Sequence, residues 1–113
     1  MKRAVITGMG VVSPLGNNLN ETLESLRNTK SGIKFQEAYE EMGLRCHIAG
    51  SIDIDTDELI DRKLHRFMGD AAAFSYIAMK EAITDSALEE SDVSNMRSGI
   101  VAGSGGASSS NLT

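Results

Sequence analysis

Cysteine is nearly absent from this chain of 113 residues, which contains Cys46 alone. A single cysteine cannot form an internal disulfide, and a free thiol is typical of the reducing cytoplasm, where we expect the protein to reside. The two histidines and this cysteine do not have the spacing of metal ligands, so no metal site is predicted.

Long apolar runs are also missing, and no segment approaches the length of a membrane span. The N-terminal residues Met1-Lys2-Arg3 precede an apolar stretch, but Thr7 and two glycines interrupt it, which argues against a signal peptide. The formal net charge of −5 argues against a general nucleic-acid-binding protein, which would carry a basic face. We therefore expect neither a membrane nor a nucleic acid as partner.

Two apolar segments that contain glycine, residues 4–12 and 99–106, have the composition of strands buried on both faces. Gly8 and Gly10 are predicted where a helix or another backbone comes close, because they carry no side chain. With helical patterns between them, the two segments predict an α/β architecture built as one βαβ-like unit.

The segments between these strands predict helices and one short strand. Leu19 to Leu26 is amphipathic and Asn20 is a suitable N-cap, whereas residues 33–43 are weakly patterned and favour a short surface helix. Residues 45–52 indicate a short strand. Residues 70–87, for which Asp70 is a suitable cap, are apolar nearly all round and predict a long helix buried on most faces.

Three patterns resemble functional motifs only in part. The segment from Gly8 to Ser13 approaches the dinucleotide fingerprint, but Ser13 replaces its third glycine and Pro14 follows. The acidic residues 53–64 begin like a calcium loop and then lack its glycine and its final glutamate, which favours a solvated turn leading into a helix. Neither Cys46 beside His47 nor Ser104 has the setting of a catalytic nucleophile.

A short basic segment follows the acidic one. Arg62 and Arg66 are neighbours on a helix surface, with Lys63 beside them, while Leu64, Phe67 and Met68 are predicted to lie on the other side. We call Arg62, Lys63 and Arg66 the basic turn. On this pattern alone, an ordinary solvated helix face is the simpler interpretation.

Several separate blocks, taken together, are similar to one known family. The blocks are Met1 to Asn18 around Gly8, Gly10 and Gly16, then Ser31-Gly32-Ile33, Ile60-Asp61-Arg62-Lys63, Arg66-Phe67-Met68 with Asp70-Ala71, and Ala102 to Gly106. They resemble, in the same order and at the same spacing, the start of the β-ketoacyl-acyl carrier protein synthases. Residues 63–68 favour the type I branch of that family.

The resemblance implies a thiolase-like α/β fold of two similar halves, each a mixed sheet between helix layers, assembled as a homodimer. Residues 1–113 would be the first part of the N-terminal half, with its buried helix, truncated before the catalytic residues. The implied reaction is a decarboxylative condensation of an acyl group with malonyl-acyl carrier protein in fatty acid biosynthesis. No cofactor is implied, since the substrates are carried on the phosphopantetheine of acyl carrier protein.

The resemblance also assigns site residues. None matches the catalytic cysteine or histidines, so the isolated chain is expected to be inactive. The basic turn matches the family's docking patch for acyl carrier protein. Ala107 matches a small residue near the acyl pocket and the dimer interface, where the type I pattern often has glycine. Two alternatives stay open: a non-catalytic module that binds carrier protein, and a dinucleotide-binding domain.

Overall fold

The structure is a computed structural model that describes residues 1–106 and residue 108. It divides into two compact units, which are described separately. Val11–Ile54 forms the first, here called the hairpin unit. Met1–Gly10 together with the chain from Asp55 onward forms the second, here called the helical unit.

The elements of the hairpin unit are α1 (Leu19–Arg27), β1 (Ile33–Phe35), α2 (Glu37–Glu41) and β2 (Ile48–Gly50). Those of the helical unit are α3 (Thr56–Leu59), α4 (Arg62–His65), α5 (Asp70–Ser86) and α6 (Glu90–Val93).

Helix α1 begins two residues earlier than the sequence indicated. Asn18, not Asn20, is its N-cap, and its side-chain oxygen accepts a hydrogen bond of 2.9 Å from the backbone N–H of Glu21. The Glu21 carboxylate reaches back and accepts one of 2.8 Å from the N–H of Asn17. The earlier cap is favoured because it places this acid at the third helical position, where it satisfies a second free N–H group.

The C-terminus of α1 is closed by two backbone hydrogen bonds that run back into the helix. Lys30 donates to the Ser25 carbonyl at 2.8 Å, and Thr29 donates to the Leu26 carbonyl at 3.2 Å. Thr29 adopts a left-handed conformation with φ of 52°, the geometry that usually recruits glycine at this position. Ser25 itself is buried, and its hydroxyl donates to the Leu15 carbonyl at 2.6 Å, which anchors α1 to the turn before it.

Strands β1 and β2 pair antiparallel, with Ile33 opposite Gly50 and Phe35 opposite Ile48. The strand predicted in residues 45–52 is therefore confirmed in its central part, as is the surface helix in residues 33–43, which is α2. Strand β1 was not predicted, because three residues are too few to show an alternating pattern.

Residues 8–10 of the first apolar segment lie along α5, and residues 4–12 form no strand. A Cβ atom added to Gly8 would lie 2.2 Å from the Ala82 carbonyl oxygen, and one added to Gly10 would lie 1.9 Å from that of Ala78. The Met9 N–H donates to the Asp85 carboxylate at 2.9 Å. The predicted close approach at both glycines is thus confirmed, and the partner is a helix.

No strand is assigned to residues 1–12 or 99–106, and Ile100 is 79% exposed. The βαβ-like unit expected from these segments is therefore wrong for the part of the chain that the structure describes. The physical reason is that apolar composition makes a segment suitable for a sheet, but a strand exists only where a neighbouring backbone completes its hydrogen bonds.

Helix α5 matches the predicted long helix in extent and differs in burial. Gly69 is its N-cap, without a side-chain hydrogen bond, and Asp70 is its first residue. Only Ala73 is fully buried among its residues, so the expected burial on most faces is wrong for the described chain. Residues 8–10 and α3 contact part of its surface. An open apolar groove between α5 and residues 100–104 leaves another part exposed.

Helix α5 ends at Ser86, and its C-cap residue Ala87 is left-handed with φ of 53°. We expect Ala87→Gly to stabilise the protein by about 0.5–1 kcal/mol, because glycine adopts this conformation without a Cβ clash. Ala72→Gly, in the same helix where backbone angles are ordinary, should destabilise it by about 1 kcal/mol. Thermal unfolding of both variants measures the difference, and equal shifts in the same direction would contradict the role of the left-handed cap.

Within the part of the chain that the structure describes, no helix is long and apolar enough to cross a membrane.

Candidate functional site

The acidic segment before the basic turn forms a helix cap. The Asp55 carboxylate accepts hydrogen bonds from the backbone N–H groups of Asp57 and Glu58, at 3.0 and 3.2 Å, and so begins α3. The predicted turn leading into a helix is confirmed. Among the described residues, no group of three or more histidine, cysteine, aspartate or glutamate side chains is arranged to hold a metal ion.

Helix α4 contains Arg62 and Lys63 of the basic turn, and Arg66 is its C-cap. It is a single turn held in place at its start. The Asp61 carboxylate accepts a hydrogen bond of 2.8 Å from the Lys63 N–H, which satisfies one of the free donors at the helix N-terminus. Ile60, between α3 and α4, is only 3% exposed and is one of two buried apolar residues in the described chain. The burial of Ile60 therefore holds the segment between α3 and α4 in place.

All three cations of the basic turn are exposed. The structure places no carboxylate of residues 1–106 or 108 within ion-pairing distance of Arg62, Lys63 or Arg66. The guanidinium of Arg66 lies 4.4 Å from the centre of the Phe67 ring, a cation–π geometry. Phe67 therefore contacts a member of the basic turn, which corrects the prediction that it lies on the other side.

The contact between His65 and Asp57 was not predicted. His65 Nδ1, at the last residue of α4, lies 2.8 Å from a carboxylate oxygen of Asp57 in α3. The sequence shows two polar residues eight positions apart, a spacing that no single helix or strand brings together. Only the path of the chain between α3 and α4 brings them into contact.

The dinucleotide alternative is wrong for this structure. In that fingerprint the glycines admit a pyrophosphate at the N-terminus of the helix that follows them. Here the space beside Gly8 and Gly10 is filled by carbonyl oxygens of α5, and the next helix begins only at Leu19. Carbonyl oxygens would repel a phosphate group.

Cys46, its neighbour His47 and Ser104 all contact backbone carbonyl oxygens. Cys46 is exposed, with its sulfur 3.8 Å from the Ile48 carbonyl oxygen. His47 Nε2 lies 2.6 Å from the Leu44 carbonyl oxygen, and its ring meets Phe35 edge-on at 5.8 Å. The Ser104 hydroxyl donates to the Gly106 carbonyl at 2.7 Å.

Ala107, assigned by resemblance to the vicinity of an acyl pocket and the dimer interface, lies outside the described residues.

Comparison with known proteins gives one consistent family. The family model "Beta-ketoacyl synthase, N-terminal domain" matches residues 1–113. The 3-oxoacyl-(acyl-carrier-protein) synthase 1 of Haemophilus influenzae is 51% identical over 111 residues, which cover 98% of this chain and 27% of the relative. Synthase 1 of Escherichia coli is 50% identical over 109 residues, covering 96% of this chain and 27% of the relative.

A relative named synthase 2 is less similar. The 3-oxoacyl-(acyl-carrier-protein) synthase 2 of Staphylococcus aureus is 33% identical over 105 residues, which cover 92% of this chain and 25% of the relative. The chain thus spans about a quarter of the length of the curated relatives that it matches, and it is more similar to the synthase 1 relatives than to this synthase 2. On the match to the family model over residues 1–113, the chain belongs to the β-ketoacyl synthase family.

Proposed function

We propose that residues 1–113 are the first part of the N-terminal half of a type I 3-oxoacyl-acyl carrier protein synthase. The family match and the 50–51% identity to two synthase 1 proteins support this. The whole protein would have a thiolase-like fold and form a homodimer. In that fold, the apolar residues 4–12 and 99–106 would join a mixed sheet, where both faces of each strand would be covered.

The whole synthase would catalyse a decarboxylative condensation in fatty acid biosynthesis. An acyl group would move from the phosphopantetheine thioester of carrier protein to a cysteine thiolate, which releases the thiol of the carrier. Loss of carbon dioxide from malonyl-carrier protein would leave a carbanion that attacks the acyl-cysteine thioester, forms the new carbon–carbon bond and releases the cysteine thiolate. The proposal places the cysteine and its assisting histidines outside residues 1–113, so the role of this chain is to bind the substrate carrier. The phosphopantetheine arm arrives with that carrier, and the proposal requires no resident cofactor.

The observation that carries this role is the basic turn, whose three cations are exposed and form no ion pair with a carboxylate of the described residues. Acyl carrier protein is an acidic partner, and such a partner is attracted to a local cationic patch even though the whole chain carries a net charge of −5. Screening limits charge interactions to about 10 Å at ordinary salt, so the local charge dominates over the distant ones. A patch of this kind mainly raises the association rate and fixes orientation.

The test is to reverse Arg62, Lys63 and Arg66 to glutamate in the full-length synthase. We expect acyl carrier protein to bind more weakly by about 1–3 kcal/mol, since each exposed charge pair contributes up to about 1 kcal/mol. The loss should shrink as salt rises. Turnover of a small acyl thioester that lacks the carrier protein should be nearly unchanged.

A matched control reverses Lys2, Arg27 and Arg97, which are also two arginines and one lysine, all exposed in the described chain. This control changes the net charge by the same amount at residues that belong to neither α3 nor α4. If acyl carrier protein binds both triple variants equally weakly, the effect comes from net charge alone and not from the basic turn. Unchanged binding of the first variant at low salt would show that the basic turn is a solvated helix face.

The remaining alternative, a carrier-binding module without activity, makes a different prediction for the same full-length protein. It predicts tight, salt-dependent binding of acyl carrier protein with neither decarboxylation of malonyl-carrier protein nor release of a condensed product. Release of that product by the wild-type protein supports the synthase and excludes the module.

A further inference from the structure

The contact between His65 and Asp57 connects the two short helices on either side of Ile60. We infer that Asp57 and His65 form a positioning pair that holds α4 in the orientation needed to present the basic turn to acyl carrier protein. This inference rests on the docking function proposed above. It assigns to both residues a role in substrate docking that neither the sequence pattern nor the resemblance indicated.

The size of α4 shows why such a pair is needed. An isolated helical turn is unstable, because nucleation fixes several backbone angles for a single hydrogen bond. The Asp61 cap and the buried Ile60 hold the start of α4. His65 is its last residue, so the contact with Asp57 fixes the opposite end. The basic turn lies on and directly after the segment between these two anchors.

Because Asp57 is charged, an effect through its charge can be distinguished from an effect through the orientation of α4. Its side chain is 86% exposed, and it lies one short helix away from three cations that would attract an acidic partner. A carboxylate there weakens the positive potential that such a partner experiences, so its charge alone opposes docking. Its hydrogen bond to His65 has the opposite effect if it fixes the direction in which α4 points. Charge and positioning therefore predict opposite consequences when Asp57 is removed.

The pair can be tested with Asp57→Ala and Asp57→Asn in the full-length synthase. The two variants have the same net charge, but only asparagine keeps an oxygen that accepts a hydrogen bond from His65 Nδ1. We expect Asp57→Ala to bind acyl carrier protein more weakly than Asp57→Asn, by up to about five-fold, the upper end of what exposed pairs contribute. Asp57→Asn should bind at least as tightly as the wild type.

A second measurement separates positioning from general stability. For Asp57→Ala, KM for the acyl-carrier-protein substrate should be higher than for Asp57→Asn, while kcat and the turnover of a small acyl thioester should stay at wild-type values. His65→Ala removes the same contact but keeps the Asp57 carboxylate near the basic turn, so it should raise this KM at least as much. The double variant should be no worse than either single one, because both substitutions remove the same contact.

The outcomes distinguish this inference from the proposal on which it rests. If reversing the basic turn weakens docking but Asp57→Ala and Asp57→Asn bind equally, the positioning role is wrong and the docking function stands. If Asp57→Ala and Asp57→Asn both bind more tightly than the wild type and to the same extent, Asp57 acts through its charge alone, which also overturns the inference. If reversing the basic turn has no effect, the docking function itself fails, and the positioning role fails with it.

Discussion

Replacing Gly10 with alanine is expected to destabilise the protein by about 3 kcal/mol, at the upper end of what overpacking costs. The added Cβ would lie 1.9 Å from the Ala78 carbonyl oxygen and 2.8 Å from the Ala82 nitrogen, both in the backbone of α5. A helix backbone cannot rotate out of the way as a side chain can. Residues 8–10 would have to move off the helix, which would also break the hydrogen bond from Met9 to Asp85.

The measurement is the apparent melting temperature, together with the soluble yield, of the full-length protein. Gly8→Ala should behave like Gly10→Ala, since its Cβ would lie 2.2 Å from the Ala82 carbonyl oxygen. If Gly10→Ala melts within a degree or two of the wild type, the close packing of residues 8–10 on α5 is wrong.

Replacing Ile60 with alanine is expected to cost about 2–5 kcal/mol, because it removes buried methyl groups and leaves a cavity. Ile60 is 3% exposed and lies between α3 and α4. Its loss should therefore also loosen the attachment of α4. We expect Ile60→Ala to weaken binding of acyl carrier protein even at temperatures where the variant is still folded.

Ile60→Val provides a graded comparison, with an expected cost of about 0.5–1.5 kcal/mol and little change in docking. Thermal unfolding gives the stability of both variants, and titration with acyl carrier protein gives the docking affinity. An Ile60→Ala variant as stable as wild type would show that this position is not part of the core. A variant that is less stable but docks normally would show that the basic turn does not depend on Ile60.

Local features that depend on one segment of chain were predictable from the sequence. The long helix of residues 70–87 has a consistent helical composition, and α5 covers Asp70–Ser86. The acidic residues before the basic turn were predicted to form a turn that leads into a helix, and Asp55 begins α3. The absence of a side chain at Gly8 and Gly10 indicated a close contact. Propensity and steric bulk are properties of a residue and its near neighbours, which is why they are readable without a structure. The predicted N-caps Asn20 and Asp70 were wrong, because Asn18 and Gly69 hold these positions.

Features that depend on a partner elsewhere in the chain were predicted less well. The apolar residues 4–12 were interpreted as a strand, but in the described chain the neighbour of residues 8–10 is α5. Apolar composition alone does not determine the neighbour, and only a neighbouring strand supplies the hydrogen bonds of a sheet. Strand β1 was missed for the related reason that its pairing with β2, not its own three residues, defines it.

In the candidate site, too, features of one segment were predictable, whereas contacts between separate elements were not. By itself, the sequence determined that Arg62, Lys63 and Arg66 lie together on one helical turn, because their spacing follows from helix geometry, and its blocks resembled the family that the comparisons then showed. Only the tertiary structure decided that Ile60, between α3 and α4, is buried and that His65 meets Asp57. The physical reason is that both features depend on the angle at which α4 leaves α3, and that angle is set by packing rather than by any local residue pattern.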